Sequence, residues 1–328
     1  MKKILCAFLC VAMLLSTVLL VACSEEEKNL KFGLGVYTDV TSATNAASAA
    51  NGKGEASVTA AAVTLDADGK IVACVLDTAT NAVQYTAEGK AIAVESFKTK
   101  GELGAAYGMK EYAGAAKEWF EQRDAFQTLV VGKTLAEVKA LIAGEDNKGT
   151  EEVVNAGCTI MIHEFVYAIE KACNNAADSN ATKDHALKLG VYTEQTNKDA
   201  TDKANGESKL ETTVFAAAVD GDGKVVATDT DCVQIAFGFD AKGTSAYDLT
   251  KKVESKREKG AAYGMKEYAG ASKEWFEQAD AFEALCIGKT ATEIAAFAAS
   301  DNYGTADVKA AGCTILVNGF TKAAVKIG

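Results

Sequence analysis

Apolar residues open the chain in one block: MKKILCAFLCVAMLLSTVLLVAC runs from two lysines through about twenty mostly apolar residues to Cys23. Beyond it the pattern shortens. Apolar and polar residues alternate on both sides of Asp66-Ala67-Asp68-Gly69, and again around Asp220-Gly221-Asp222-Gly223, which predicts two β-hairpins. Trp119, Phe120, Phe126, Leu129 and Val130 recur at helical spacing ahead of Gly132, which predicts a helix stopped there. Thr134 with Glu137, and Thr290 with Glu293, have the spacing of a capping box and predict further helix starts. Two late segments, CTIMIHEF from Cys158 and CTILVNGF from Cys313, read as a strand running into a closing helix. Strand runs followed by helices, without regular β-α alternation, predict an α+β fold in which each antiparallel sheet carries packed helices, not a doubly wound sheet.

The pattern occurs twice. GAAYGMKEYAGAAKEWFEQRDAF, Gly104 to Phe126, returns almost letter for letter as Gly260 to Phe282. LGVYT at Leu34 returns at Leu189, DADGKIVA at Asp66 as DGDGKVVA at Asp220, VGKT at Val131 as IGKT at Ile287, and AGCTI at Ala156 returns at Ala311. A period of about 155 residues is the size of a domain, not of a solenoid repeat. Two tandem domains are expected, residues 30–173 and 187–328, each folding on its own. Asn174 to Asp184 has linker composition, so 174–186 is read as a connector.

The opening block reads as an export leader over residues 1–22, to be left out of fold reasoning. Leu20-Val21-Ala22-Cys23 resembles the lipobox of bacterial lipoproteins, with Cys23 the lipidated first residue and residues 23–29 a polar tether. A membrane-anchored, extracytoplasmic protein follows from that reading. A plain transmembrane anchor is the competing one, since the apolar run is almost long enough to span a bilayer. Loss of Lys2 and Lys3 with the leader takes the formal net charge from −11 to −13, which argues against nucleic acid as a partner. Of the six cysteines beyond Cys23, only Cys158 and Cys313 occupy matching places, so most read as small buried hydrophobes. Proline is absent, leaving the turns to glycine, asparagine and aspartate.

Repetition also sorts the candidate chemistry. His163 and His185 are the only histidines, and Asn318 stands where His163 would recur, so both read as solvent-facing. Gly33-Leu34-Gly35 lacks the continuation of a phosphate loop, and Gly132-Lys133-Thr134 and Gly288-Lys289-Thr290 lack the upstream glycine of a P-loop. AGCT survives in both copies: alanine, glycine and cysteine leave the backbone open to close approach just before Thr159 and Thr314. A turn entering a strand, with threonine there for its β propensity, explains the same letters.

TKGELGAAYGMK, KEWFEQ, VVGKT and EEVVNAGCTIMIHEF, with SKREKGAAYGMK, KEWFEQ, IGKT and ADVKAAGCTILVNGF, resemble the FMN-binding domain family. The likeness extends to the two-domain flavin lipoproteins of Gram-positive extracellular electron transfer, and it covers both copies. Ala156 and Ala311 stand where that family usually has serine, and Cys158 and Cys313 where it usually has alanine. The resemblance implies FMN held through a phosphoester to Thr159 and to Thr314, within Gly157-Cys158 and Gly312-Cys313, and placed there by a flavin transferase that uses FAD and a divalent metal. For the rest of the pocket the repeated segment offers Gly104, Tyr107, Gly108 and Met109, with Gly260, Tyr263, Gly264 and Met265. Lys110 and Lys266 would favour a reduced, anionic flavin, while Trp119 and Trp275 read as core. The function implied is a redox carrier rather than a substrate-specific enzyme. It would be reduced by a membrane quinone-linked NADH dehydrogenase system and would pass electrons to extracellular acceptors. A ligand-binding or adhesive lipoprotein without flavin is the alternative.

Overall fold

The computed structural model describes residues 29–144 and 146–328. The expected leader, Cys23 and most of the tether lie outside the described residues.

The fold is α+β, built on antiparallel sheets. In the first half, strands β1 (Lys31–Thr44), β2 (Gly52–Leu65) and β3 (Ile71–Tyr85) form a meander with β2 in the middle. In the second half β4 (Ala186–Lys198), β5 (Gly206–Val219) and β6 (Val225–Phe239) repeat it. The predicted hairpin turns are present and alike. Asp66 Oδ1 accepts the Asp68 and Lys70 N–H groups at 2.9 and 2.8 Å, and Asp220 Oδ1 accepts those of Asp222 and Lys224 at 3.0 and 2.8 Å.

Helices α1 (Trp119–Val130) and α2 (His163–Asn175) cover one face of the first sheet, and α3 (Trp275–Cys286) and α4 (Asn318–Val325) cover one face of the second. The two predicted capping boxes start short helices at Leu135 and Ala291. The Gly-Lys-Thr segments tie each α1-type helix back to its sheet, Gly132 N–H and Gly288 N–H donating to the carbonyls of Ile71 and Val225 at 2.7 and 2.8 Å. The glycines of the LGVYT motif also have a packing role. A Cβ on Gly35 would lie 2.1 Å from the Ala168 carbonyl oxygen, and one on Gly190 2.0 Å from that of Ala323, so each bare backbone lets a helix lie directly on the strand.

Alternation along the central strands sends the other face of each sheet toward the other sheet. Ala61, Val63 and Leu65 of β2 pack under the helices, while Ala56, Val58, Ala60 and Ala62 join Val214, Ala216 and Ala218 of β5 in a core that both halves build. The order of layers is helix, sheet, sheet, helix. Asn81 Nδ2 donates across the junction to Thr193 and Thr212 at 3.0 and 3.3 Å, and the Tyr85 and Phe239 rings stack at 4.4 Å. Ion pairs cross at matched places: Lys171 to Glu258 and Lys326 to Glu102, both at 2.7 Å.

Two expectations change here. The connector is not a free linker: α2 runs through Asn175, Ala177–Asp178 pairs with β1, and the Leu30 N–H donates to the Ala181 carbonyl at 2.7 Å. Nor does either half present a finished surface by itself, because half of the shared core belongs to its neighbour. Among the described residues no helix is long and apolar enough to cross a membrane.

Residues 30–173 produced alone should therefore self-associate, or bind a hydrophobic dye and lose cooperative unfolding, because Phe32, Leu34, Val36 and Val58 would be uncovered. Light scattering after size exclusion reads this directly. A monodisperse monomer that unfolds in one sharp transition would contradict the shared core.

Candidate functional site

Each AGCT turn is made by a short helix that ends on glycine. Glu151–Ala156 stops at Gly157, whose φ of 100° is left-handed, and Ala306–Ala311 stops at Gly312 with φ of 103°. The expected strand does not form after either turn. A bend with one isolated bridge, Met161 to Lys148 or Leu316 to Tyr303, leads into α2 or α4 instead. The reason is a side chain. The Thr159 N–H, rather than entering a ladder, donates to Gln122 Oε1 at 2.8 Å, and the Thr159 hydroxyl donates to the same oxygen at 2.9 Å. Gln278 Oε1 accepts the N–H and hydroxyl of Thr314 at the same two distances.

Gln122 and Gln278 are buried in α1 and α3, and each fixes its own amide by donating to the carbonyl of Lys117 or Lys273, at 3.1 and 3.2 Å. The threonines themselves are exposed. Cys158 and Cys313 are fully buried, and burial pushes both thiols up to about 11, which keeps them protonated and unreactive. In each turn the solvent-facing nucleophile is the threonine oxygen. A Cβ on Gly157 would meet Lys117 Nζ at 2.0 Å, and one on Gly312 would meet Lys273 Nζ at 2.1 Å, so an ammonium group rests against each bare glycine. That places a positive charge against each turn two residues before the threonine, suited to an anionic group.

A cavity of about 380 Å³ opens next to Thr159 in the first half. Tyr107, Gly108, Met109 and Trp119 line it from one side, and Ile160 and Met161 from the other. The structure thus brings the Tyr-Gly-Met segment to Ile160 and Met161, directly after the AGCT turn, while Gly157, Cys158 and Thr159 themselves are not among the cavity lining. Gly108, with φ of 77°, turns the chain from a 3-10 turn into the short helix Met109–Ala113, and Glu118 accepts the N–H groups of Met109 and Lys110 at 2.9 and 3.3 Å. In the second half Gly264 has φ of 81° and Glu274 accepts the Met265 N–H at 2.9 Å. Tyr263 there donates its hydroxyl to Gln234 at 3.1 Å.

Other expected members fall elsewhere. Gly104 and Gly260 close the preceding helical turn at φ of 52°, and Gly104 is not among the cavity lining. Lys110 and Lys266 pair at the surface with Glu121 and Glu277, at 2.6 Å each, and Lys110 does not reach the cavity. The cavity-lining cation over the aromatic wall is Lys100, 5.3 Å from the Tyr107 ring centre and 5.7 Å from that of Trp119, and Arg123 also lies over Trp119, at 5.4 Å. Trp119 is core and cavity wall at once, 3 % exposed and edge-on to Phe165. The histidines are not solvent-facing. His163 is half-buried in the cavity wall, and His185 Nδ1 accepts the Thr182 N–H at 2.9 Å to close the connector turn.

Sequence reasoning missed Gln122, Gln278, Lys117 and Lys273, although all four lie in the repeated KEWFEQ. It also missed the apolar rim. Tyr112 is 78 % exposed and Tyr268 79 %, while Met161 and Leu316, two residues after each threonine, are 59 % and 51 % exposed.

The comparisons with known proteins are sparse. No protein-family profile matches the chain, and no solved structure matches it. A segment of 108 residues, 30 % of the chain, is 33 % identical to a chlorophenol reductase of Desulfitobacterium hafniense. The likeness spans 33 % of that protein's length.

Replacing Gln122 by Leu strands the Thr159 N–H and should destabilise the protein by about 1–3 kcal/mol, whereas Thr159→Val leaves Gln122 its amide donor and should cost about 1 kcal/mol or less. Gln278→Leu and Thr314→Val should show the same contrast. Urea unfolding of the four variants measures it, and equal costs within each pair would refute the anchoring role of the glutamines.

Proposed function

We propose that the chain is two tandem homologous FMN-binding domains, a lipid-anchored, extracytoplasmic electron carrier with FMN esterified through phosphate to Thr159 and Thr314. The observation that carries this reading is the doubled setting of those threonines. In both halves a solvent-facing hydroxyl is held by a buried glutamine, two residues after a glycine covered by a lysine ammonium, on a rim of uncovered aromatic and apolar side chains. Large exposed apolar groups mark places where a partner surface is missing, and a flat ring system meets that description.

The residues present fit the group. Gly157 and Gly312 leave the turn open, and Lys117 and Lys273 would balance the phosphodiester charge. Tyr107, Met109 and Trp119 would cover a ring face, in a cavity whose 380 Å³ falls in the range of small-molecule sites, roughly 300–1,000 Å³. When bound, the flavin supplies one- or two-electron transfer, and the protein supplies position and electrostatics. The glutamine amide orients the threonine O–H but is too weak a base to remove its proton, and among the described residues no histidine or carboxylate hydrogen-bonds to it. The hydroxyl is therefore suited to be modified by a separate transferase rather than to act as a catalytic nucleophile itself. A covalent tether also prevents the loss of a cofactor outside the cell. Reduction by a membrane quinone-linked dehydrogenase and delivery to extracellular acceptors belong to the same proposal, as does lipidation of Cys23.

Intact mass of the protein produced with a flavin transferase and FAD tests the reading. Two added FMN groups, each less one water, are expected. Thr159→Val should remove one and Thr314→Val the other, with visible fluorescence on a denaturing gel lost only in the double variant. An unchanged mass, with the transferase active on another acceptor, would leave the flavin-free ligand-binding or adhesive lipoprotein as the better reading.

A further inference from the structure

We infer that Asp39, His163 and Glu164 form a divalent-cation site in the first half of the chain, with no counterpart in the second. Asp39 lies on β1, and His163 and Glu164 open α2, the helix packed on that strand. One ligand atom from each residue lies within 4.8 Å of those of the other two, and all three side chains are partly buried. Ligand atoms on a tetrahedral ion with bonds of about 2.0–2.1 Å stand roughly 3.4 Å apart, so a side-chain movement on the order of 1 Å closes the set.

Four observations point to a cation rather than to a chance grouping. His163 Nδ1 is buried without a hydrogen-bond partner. Among the described residues neither carboxylate is within ion-pair distance of a lysine, an arginine or His163 itself, although charge pairs are frequent elsewhere on this protein. Two neighbouring carboxylates without a counter-charge repel, and a divalent ion removes that cost. Glu164 is oriented as a ligand usually is: its Oε2 accepts the hydroxyls of Ser57 and Thr59 at 3.0 and 2.9 Å, and Thr59 shares a hydrogen bond of 2.9 Å with Thr78. Finally, the cluster is reached from two cavities. His163 and Glu164 line the one beside Thr159, and Asp39 lines a larger one of about 580 Å³. Coordination positions are thus left for water or for a bound anion.

The donor set of one imidazole and two carboxylates, without thiolate, suits Zn²⁺, Mn²⁺ or Fe²⁺ rather than a soft ion. The second half supplies an internal control. Glu194, Asn318 and Gly319 occupy the matching places, and Asn318 Nδ2 donates to Glu194 Oε2 at 2.9 Å. A neutral hydrogen bond to one carboxylate there replaces two carboxylates and an orphan nitrogen. Flavin attachment at Thr159 is not required for this site.

Isothermal titration of the purified protein with Zn²⁺, and Mn²⁺ titration followed by electron paramagnetic resonance, test it. One ion per chain is expected for the wild type. His163→Asn, which installs the side chain that the second half carries at this place, should weaken binding on the order of tenfold or more. Asp39→Asn should do the same, while Asn318→Ala should leave binding unchanged; circular dichroism checks that each variant is folded. No ion retained at one per chain, or equal retention by the folded His163→Asn and Asp39→Asn variants, would overturn the site.

Discussion

Burial of one sheet face against the other is the constraint on which the remaining architecture rests. The middle strands β2 and β5 are apolar on both faces, so each sheet needs a cover on each side. Helices provide one cover, and the sister sheet provides the other. Alanines are interleaved with larger residues in the junction: Ala56, Ala60, Ala62, Ala216 and Ala218 share the core with Phe32, Val58, Val214 and Phe237, and a Cβ on Gly54 would lie 2.3 Å from the Phe237 ring. At Gly54 a side chain would therefore have to displace the Phe237 ring. The few polar groups there, Asn81 with Thr193 and Thr212, hydrogen-bond to one another across the junction and so favour one register of the two sheets.

From that constraint comes the placement of the sites. With both inner faces occupied by the junction, the helices that carry the AGCT turns cover the outer faces. Thr159 follows Cys158 of the first helical core, and Thr314 follows Cys313 of the second. The two threonines thus belong to different helical layers, one in each half. On the proposed reading, each flavin is attached within its own half.

How much of this could be seen in the letters depends on where the physical signal lies. The hairpin aspartates, the Thr-x-x-Glu boxes and the α1 helix were legible because their causes are local: a carboxylate bonding two residues on, a cap, a helical stripe. The connector was misread because Ala177–Asp178 pairs with β1 through backbone groups alone, and its composition remains that of a linker. The AGCT segment was misread because its N–H is claimed by Gln122, a residue 37 positions away. Gln122 itself looked like an ordinary polar position on a helix, and only burial distinguishes it. The shared core was invisible for a related reason. A run such as ASVTAAAVTL declares that both faces are covered but not by what.

Repetition was a productive filter and also a biased one. It selects what two copies have in common, so it found Thr159 and Thr314, and it would have found Lys117, Lys273 and the glutamines had burial been known. It discards whatever one copy alone possesses, and His163 was set aside on that ground. Yet a difference between the halves is itself informative, because both positions start a helix packed on a first strand. Where the second half keeps Asn318 hydrogen-bonded to Glu194 and has only hydrogen at Gly319, the first places an imidazole and a carboxylate beside Asp39. Relative to the second half, His163 and Glu164 add one negative charge and one orphan nitrogen to a half-buried place, which packing and fold stability alone would oppose. A cost of that kind persists where a bound partner offsets it, and in this pocket the chemistry of the partner is that of a cation.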